Sequence, residues 1–170
     1  MTSLAVHFSS KKKEHYTPAH IVEMAREVMQ AIDLDPASCA QANETVNAAH
    51  WYGLDHPDDA HRDGLAAVWF GRVWMNPPYG DEIAGWTDRL VHQYAMERVI
   101  EAIALVPART DTGWFKRAAA GRMVCFVTGR LKFGNAENSA PFPSALIYFG
   151  EDADAFRVVF GAIGLIATFR

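Results

Sequence analysis

Three apolar runs in this chain end at a proline, and that repetition constrains the fold more than any other feature. They are "VWMNPP" at 73–78, "VIEAIALVP" at 99–107 and "AIDLDP" at 31–36. Proline donates no backbone hydrogen bond, so it cannot continue a strand in the middle of a sheet. Each run therefore reads as a buried strand whose pairing stops at its C-terminal end. In the first, Val73, Trp74 and Met75 finish the strand, and Asn76, Pro77, Pro78 and Tyr79 hang off its end. Open α/β sheets place ligands outside such strand ends.

Helical patterns lie between the runs. Pro18 opens a helix with Thr17 as its N-cap, and Ile21, Val22, Ala25, Val28 and Met29 give it an apolar face. "SCAQANETVNAAHWY" reads as mostly helix with a short strand at its end, and "GLDHPDDAHRDG" as a polar loop. Ile83, Trp86, Leu90 and Tyr94 repeat at helical spacing. "TDTGWFKRAAAG" predicts a short helix with Gly121 past its end. "MVCFVTG", "RLKFG" and "SALIYFG" are strand-like, and "DADAFRVVFGAIG" is a last helix or a helix ending in a strand. The alternation predicts a three-layer α/β domain over residues 16–170, with a mostly parallel sheet. The later strands lack helical spacers, which predicts an antiparallel hairpin at one sheet edge. Residues 1–15 read as a flexible polar arm. Lys11, Lys12 and Lys13 there are a solvated charge run or a phosphate-contacting one.

A length of 170 residues suits one domain, and a hydrophobic content of 50% excludes a disordered chain. The formal net charge of -4 argues against a strongly basic nucleic-acid binder but leaves room for a local basic surface. No apolar run is long enough to span a membrane, and no signal peptide is expected. Cys39 and Cys125 lack metal-ligand spacing and point to a reducing cytoplasm.

The proline turn carries the chemistry. Asn76 offers a side-chain carbonyl, and Pro77 offers a backbone carbonyl followed by a residue without an N–H. Two acceptors aimed at one point suit an exocyclic amino group. Tyr79 offers a flat face for a ring.

"NPPY" resembles the catalytic motif of S-adenosylmethionine-dependent methyltransferases that modify N6 of adenine, N4 of cytosine or amide nitrogens. "YTP" at 16–18, "IDLDPAS" at 32–38, "DGL" at 63–65, "NPPYG" at 76–80, "LVPARTDTGWF" at 105–115, "GRLKF" at 129–133 and "APFPSALIYFG" at 140–150 follow in order. That series resembles the phage and prophage DNA N6-adenine methyltransferases, a Dam-like family, over roughly residues 15–165. The resemblance implies a Rossmann-like methyltransferase sheet, S-adenosylmethionine as cofactor and DNA as partner. Thr17 and Pro18 would then sit where backbone N–H groups and a hydroxyl hold the cofactor carboxylate. Asp35, with Pro36 and Ala37, would face the cofactor's methionine amino group. Asp63 would accept from the cofactor's adenine amino group. Asn76 would lie between cofactor and target, with Pro77, Pro78 and Tyr79 holding the target base. "DPASCAQAN" contains none of the glycines usual after the first strand. For the ribose hydroxyls, Asn43, Glu44 and Asn47 lie in the expected stretch.

Acceptors at Asn76 and Pro77 would hold the amine hydrogens and stabilise the positive charge that develops on nitrogen. A target inside duplex DNA would have to flip out. Arg109, Lys116, Arg117, Arg122, Arg130 and Lys132 fall in a stretch whose only acid is Asp111, and they are the expected phosphate contacts. Little chain is left for a separate reading head, so a short or relaxed recognition sequence is expected, from a monomer or a homodimer. The competing readings are methylation of cytosine N4, RNA guanine N2 or protein glutamine, and a non-catalytic nucleic-acid or cofactor-binding module.

Overall fold

The computed structural model describes residues 16–134 and 138–169. The 1–15 arm, with Lys11, Lys12 and Lys13, lies outside the described residues. In chain order the elements begin with α1 (Ala19–Met29), β1 (Leu34–Asp35), α2 (Ala40–Val46) and β2 (His50–Trp51). A 3₁₀ turn (Asp59–His61), β3 (Gly71–Met75), α3 (Ile83–Ala95), β4 (Val99–Pro107) and α4 (Gly113–Ala119) follow. The chain ends with β5 (Met123–Val127), β6 (Ser144–Phe149), α5 (Ala153–Phe160) and β7 (Gly164–Thr168).

The seven strands form one sheet in the order β2-β1-β3-β4-β6-β5-β7. β1, β2, β3 and β4 pair in parallel, whereas β6 is antiparallel to both β4 and β5, and β7 is antiparallel to β5. The antiparallel part is therefore wider than the expected single hairpin: β6 is inserted between β4 and β5, and β7 takes the edge.

The central strands are buried on both faces, and their side chains alternate between two apolar clusters. Ile103 and Leu105 of β4 join Trp74, Cys125, Leu146 and Tyr148 beneath α1 and α5. Ala102, Ala104 and Val106 join Val73, Met75, Val124 and Ile147 beneath α3 and α4. Period-2 alternation with both faces apolar requires a helical layer on each side, and the two clusters provide the cores of a three-layer arrangement. Ile21, Val22, Ala25, Val28 and Met29 of α1 are all buried, as their spacing predicts.

Two local expectations change. Pro18, not Thr17, is the N-cap of α1, and its carbonyl accepts from the Ile21 and Val22 amides at 3.0 and 3.4 Å. Thr17 lies one residue too early, and its hydroxyl is used elsewhere. "RLKFG" forms no strand: Leu131 and Phe133 are buried, but in the cluster beneath α1 rather than in a ladder. Their burial made the segment read as a strand.

β2 lies on one side of β1 and β3 on the other, and Leu34 registers against both His50 and Val73. The chain direction thus diverges between β1 and β3. Neighbouring loops leave opposite faces there and open a crevice at the C-terminal strand ends. Asp35 and Asn76 both fall at that point.

Candidate active site

A cleft of about 820 Å³ opens at this divergence. Thr17, Asp35, Pro36, Ala37, Asp63, Asn76, Pro77, Pro78 and Tyr79 all line it. Pro18 is not among the lining residues; it serves α1 instead. Four segments far apart in sequence are brought to one cavity by the parallel register of β1, β2 and β3.

Asp35 is 3% exposed at the end of β1. Burial pushes its carboxyl up to about 7 from an ordinary 3.8, although hydrogen bonds from Ser38 and from the Ala37 amide pull it down. The Ala37 N–H reaches Asp35 Oδ1 at 3.2 Å. A carboxylate desolvated this far favours a cationic partner, because an opposite charge restores its ionised form.

The turn after β1 has no glycine, yet its backbone is closely approached. The approaching segments supply the glycines. A Cβ on Gly64 would lie 1.8 Å from the Pro36 carbonyl oxygen and 3.0 Å from the Trp86 ring. A Cβ on Gly53 would lie 2.1 Å from the Ser38 oxygen. The Ser38 amide also bonds the Tyr52 carbonyl at 2.8 Å, which ties the turn to the end of β2. Gly64→Ala is therefore expected to push the 63–66 loop off the turn, cost about 1–3 kcal/mol of stability and weaken ligand binding in the cleft. Thermal melts and a cofactor titration check this; an unchanged affinity in a folded Gly64→Ala protein would refute it.

Asp63 is exposed at the cleft mouth. Its Oδ1 accepts from the Leu65 and Ala66 amides at 3.0 and 3.1 Å, so one carboxylate oxygen shapes the loop. Asn43, Glu44 and Asn47 are not among the lining residues. Asn43 Oδ1 accepts from the Ala48 amide at 3.0 Å, and Asn47 is the left-handed C-cap of α2 at φ 48. Their polar atoms finish a helix. The acid that reaches the cleft from this region is Asp55, which follows β2 and accepts from the Ala40 amide at 3.0 Å. Its position past the end of β2 was the available signal, hidden in a loop rich in Asp and His.

Asn76 is half-buried, with both ends of its amide engaged. Its Nδ2 donates to Thr17 Oγ1 at 3.0 Å, and its Oδ1 accepts from the Tyr79 hydroxyl at 2.9 Å. Burial holds the Tyr79 phenol far above its ordinary range, so it stays a donor. The same hydroxyl lies 3.5 Å from the Leu105 carbonyl. The Tyr79 ring meets Phe142 and Phe133 edge-on, with centroids 5.3 and 6.2 Å away. Tyr79 is therefore more than a flat face: its hydroxyl is part of the Asn76 hydrogen-bond set. Among the described residues no backbone amide donates to the Pro77 carbonyl in a turn, loop or cap.

The fold divides the basic stretch between two ends of the sheet and α4. Arg109 follows β4, and Arg130 and Lys132 follow β5, so these exposed residues lie at the cleft end of the sheet. Lys116 is exposed on α4. Arg117 forms a forked pair with Asp88 of α3, at 2.9 and 2.8 Å. Arg122 precedes β5 and so lies at the opposite sheet end. Its guanidinium sits 4.1 Å over the Phe149 ring and donates to the Ala118 and Ala120 carbonyls at 3.2 and 2.9 Å. Arg122 thus closes the end of α4, with its guanidinium engaged there.

A family model described as DNA N-6-adenine-methyltransferase (Dam) matches residues 7–146. No curated protein matches the chain. The matched stretch contains every cleft residue named above and runs through the central strands into β6. With most of its length covered, the chain belongs to the DNA N-6-adenine-methyltransferase (Dam) family.

Proposed function

We propose that this chain transfers the methyl group of S-adenosylmethionine to N6 of adenine in DNA. One observation carries the reading: a buried carboxylate, Asp35, and an acceptor-bearing proline turn, Asn76–Pro77, open into the same cleft. The donor set suits a zwitterionic nucleoside cofactor. Asp35 would take the ammonium, the Thr17 hydroxyl the carboxylate, Asp55 the ribose hydroxyls and the second Asp63 oxygen the adenine amino group. When bound, the cofactor supplies an electrophilic methyl on a sulfonium centre.

The remaining work falls to the chain itself. Asn76 Oδ1 has a second lone pair beyond the one given to Tyr79, and the Pro77 carbonyl has its own. Held rigidly, both accept from the target amine and orient the nitrogen lone pair. They also stabilise the positive charge that grows on that nitrogen, in a site already organised to receive it. Asn76 cannot take a proton at neutral pH, so it positions and does not act as a base. The same acceptors would hold a cytosine amine; the family match favours adenine.

Incubation with methyl-labelled cofactor and DNA, followed by nucleoside analysis, tests the reading. N6-methyladenine supports it; N4-methylcytosine, or no nucleoside product, overturns it. Arg109, Arg130 and Lys132 are the proposed phosphate contacts. Alanine at any one should weaken DNA binding on all sequences alike and lower the salt slope by about 0.9, the share of one neutralised phosphate. Arg122→Ala should leave that slope unchanged and cost about 1–2 kcal/mol of stability. Binding titrations across salt concentrations separate the two classes; a reduced slope for Arg122→Ala would reverse the assignment.

A further inference from the structure

We propose that the strap 131–134 couples cofactor binding to DNA binding: through the contact of Gly134 with Tyr16, a ligand on the cofactor side of the cleft and a duplex held at Arg130 and Lys132 each strengthen the binding of the other. This rests on the proposed transfer from a cofactor in the cleft to a base in DNA. The strap alternates like a strand but joins no ladder. Leu131 and Phe133 are 8% and 5% exposed in the cluster beneath α1, and Arg130 and Lys132 alternate with them and are exposed. Two backbone bonds hold it in place of a ladder. The Ala140 amide donates to the Leu131 carbonyl at 2.8 Å, and the Gly134 amide donates to the Tyr16 carbonyl at 2.7 Å.

The second bond joins the strap to the cleft. Tyr16 and Thr17 both line it, and the Thr17 hydroxyl accepts from Asn76 Nδ2 at 3.0 Å. Phe133, one residue before Gly134, meets the Tyr79 ring edge-on, with centroids 6.2 Å apart. The strap therefore touches the cofactor wall and the proline turn within two residues of Lys132. Gly134 permits this approach. Its φ is +55, and a Cβ there would lie 3.3 Å from Tyr16 Cδ2 and 3.5 Å from Tyr16 Cβ. A side chain would strain the turn and press the strap away from Tyr16. A cofactor packed against Tyr16 and Thr17 holds the Tyr16 carbonyl still, and with it the Gly134 amide. Arg130 and Lys132 are then ordered before a phosphate arrives, so DNA binding no longer bears the whole cost of ordering them. Phosphates on the two cations hold the same bond from the other side. Arg109 follows β4, off the strap, and takes no part in the coupling.

The test measures Kd of the full chain for a random-sequence duplex, with and without saturating S-adenosylhomocysteine. In the wild type S-adenosylhomocysteine should tighten DNA binding about tenfold, and the duplex should tighten S-adenosylhomocysteine binding by the same factor. In Gly134→Ala most of this factor should be lost. In Arg109→Ala the DNA affinity should fall with and without S-adenosylhomocysteine, and the factor should stay. The double variant Arg130→Ala/Lys132→Ala leaves the strap backbone untouched and should lose the factor, which decides the matter if Gly134→Ala does not fold. Hydrogen exchange gives a readout that needs neither DNA nor turnover: S-adenosylhomocysteine alone should slow exchange of the Gly134 amide in the wild type. A wild-type DNA affinity that S-adenosylhomocysteine leaves unchanged would overturn the proposal. So would a factor kept in Gly134→Ala or in the double variant, a factor lost equally in Arg109→Ala, or a Gly134 amide whose exchange does not respond. If the nucleoside product is N4-methylcytosine, the proposed function fails, and the same titrations still decide the coupling. If S-adenosylhomocysteine does not bind at all, both fail.

Discussion

Asn76→Ala is expected to lower methyl transfer by about 10²-fold or more, in a protein that still folds and still binds the cofactor. Asn76 sits just past β3 and belongs to neither apolar cluster, so its truncation leaves the core intact. The stability cost includes its bonds with Thr17 and Tyr79, about 1–2 kcal/mol together. The rate cost is larger because an acceptor aimed at a developing charge cannot be replaced by water that must reorganise during the reaction. Asn76→Asp keeps an acceptor oxygen on the target side and should retain more activity than alanine. Single-turnover transfer from a preformed cofactor complex is the measurement. Turnover of Asn76→Ala within a few-fold of wild type would remove Asn76 from its role.

The strand framework was legible because burial on both faces writes a nearly continuous apolar run. β4 follows the run "VIEAIALVP" from Val99 to Pro107. β3 stops at Met75, just before Asn76 and the prolines that could not continue it. α1 and α3 were legible from one-sided apolar spacing. The order of the later strands was not. That β6 is inserted between β4 and β5 depends on which edge is free when the chain arrives, a property of the assembled sheet and of no single segment.

The site was legible in parts. The strand-end logic that marked Asn76 and Asp35 also places them side by side, since strand ends in one parallel sheet share an edge. The partners of polar groups were hidden. Arg117 and Arg122 carry the right charge in sequence, but Asp88 claims one and the Phe149 ring holds the other. Gly53 and Gly64 stand outside the turn they serve, so the missing glycines of "DPASCAQAN" looked like a departure. The close approach needed glycine on one side of the contact, and this chain supplies it on the other. Asp55 was missed for a related reason: a loop residue reaches the cleft only because the end of β2 is tied to the turn by Ser38 and Tyr52.

The Asp35 carboxyl, pushed up to about 7 by burial, makes cofactor binding depend on pH. Below that value the cleft holds a neutral acid, and an ammonium ion gains little from it. Affinity should therefore weaken about tenfold for each pH unit below 7, until the bound state itself takes up the proton. Asp35→Asn should flatten this dependence and bind the cofactor about 10²-fold or more weakly at pH 8, because a charge-assisted bond at a desolvated site is gone. The stability effect has the opposite sign. The folded protein holds the Asp35 proton more tightly than the unfolded chain does. The resulting stabilisation is complete below about 3.8 and is lost as pH rises through about 7. Above pH 7 the ionised carboxylate, buried without a cation beside it, costs on the order of 4 kcal/mol. Asp35→Asn should thus melt higher than wild type at pH 8 without cofactor, and cofactor should raise the wild-type melting temperature far more than that of the variant. Calorimetric titrations from pH 5 to 8, paired with melts of both proteins, check both signs together. A pH-independent wild-type affinity, or an Asp35→Asn protein that binds as tightly as wild type at pH 8, would show that the ammonium is held elsewhere.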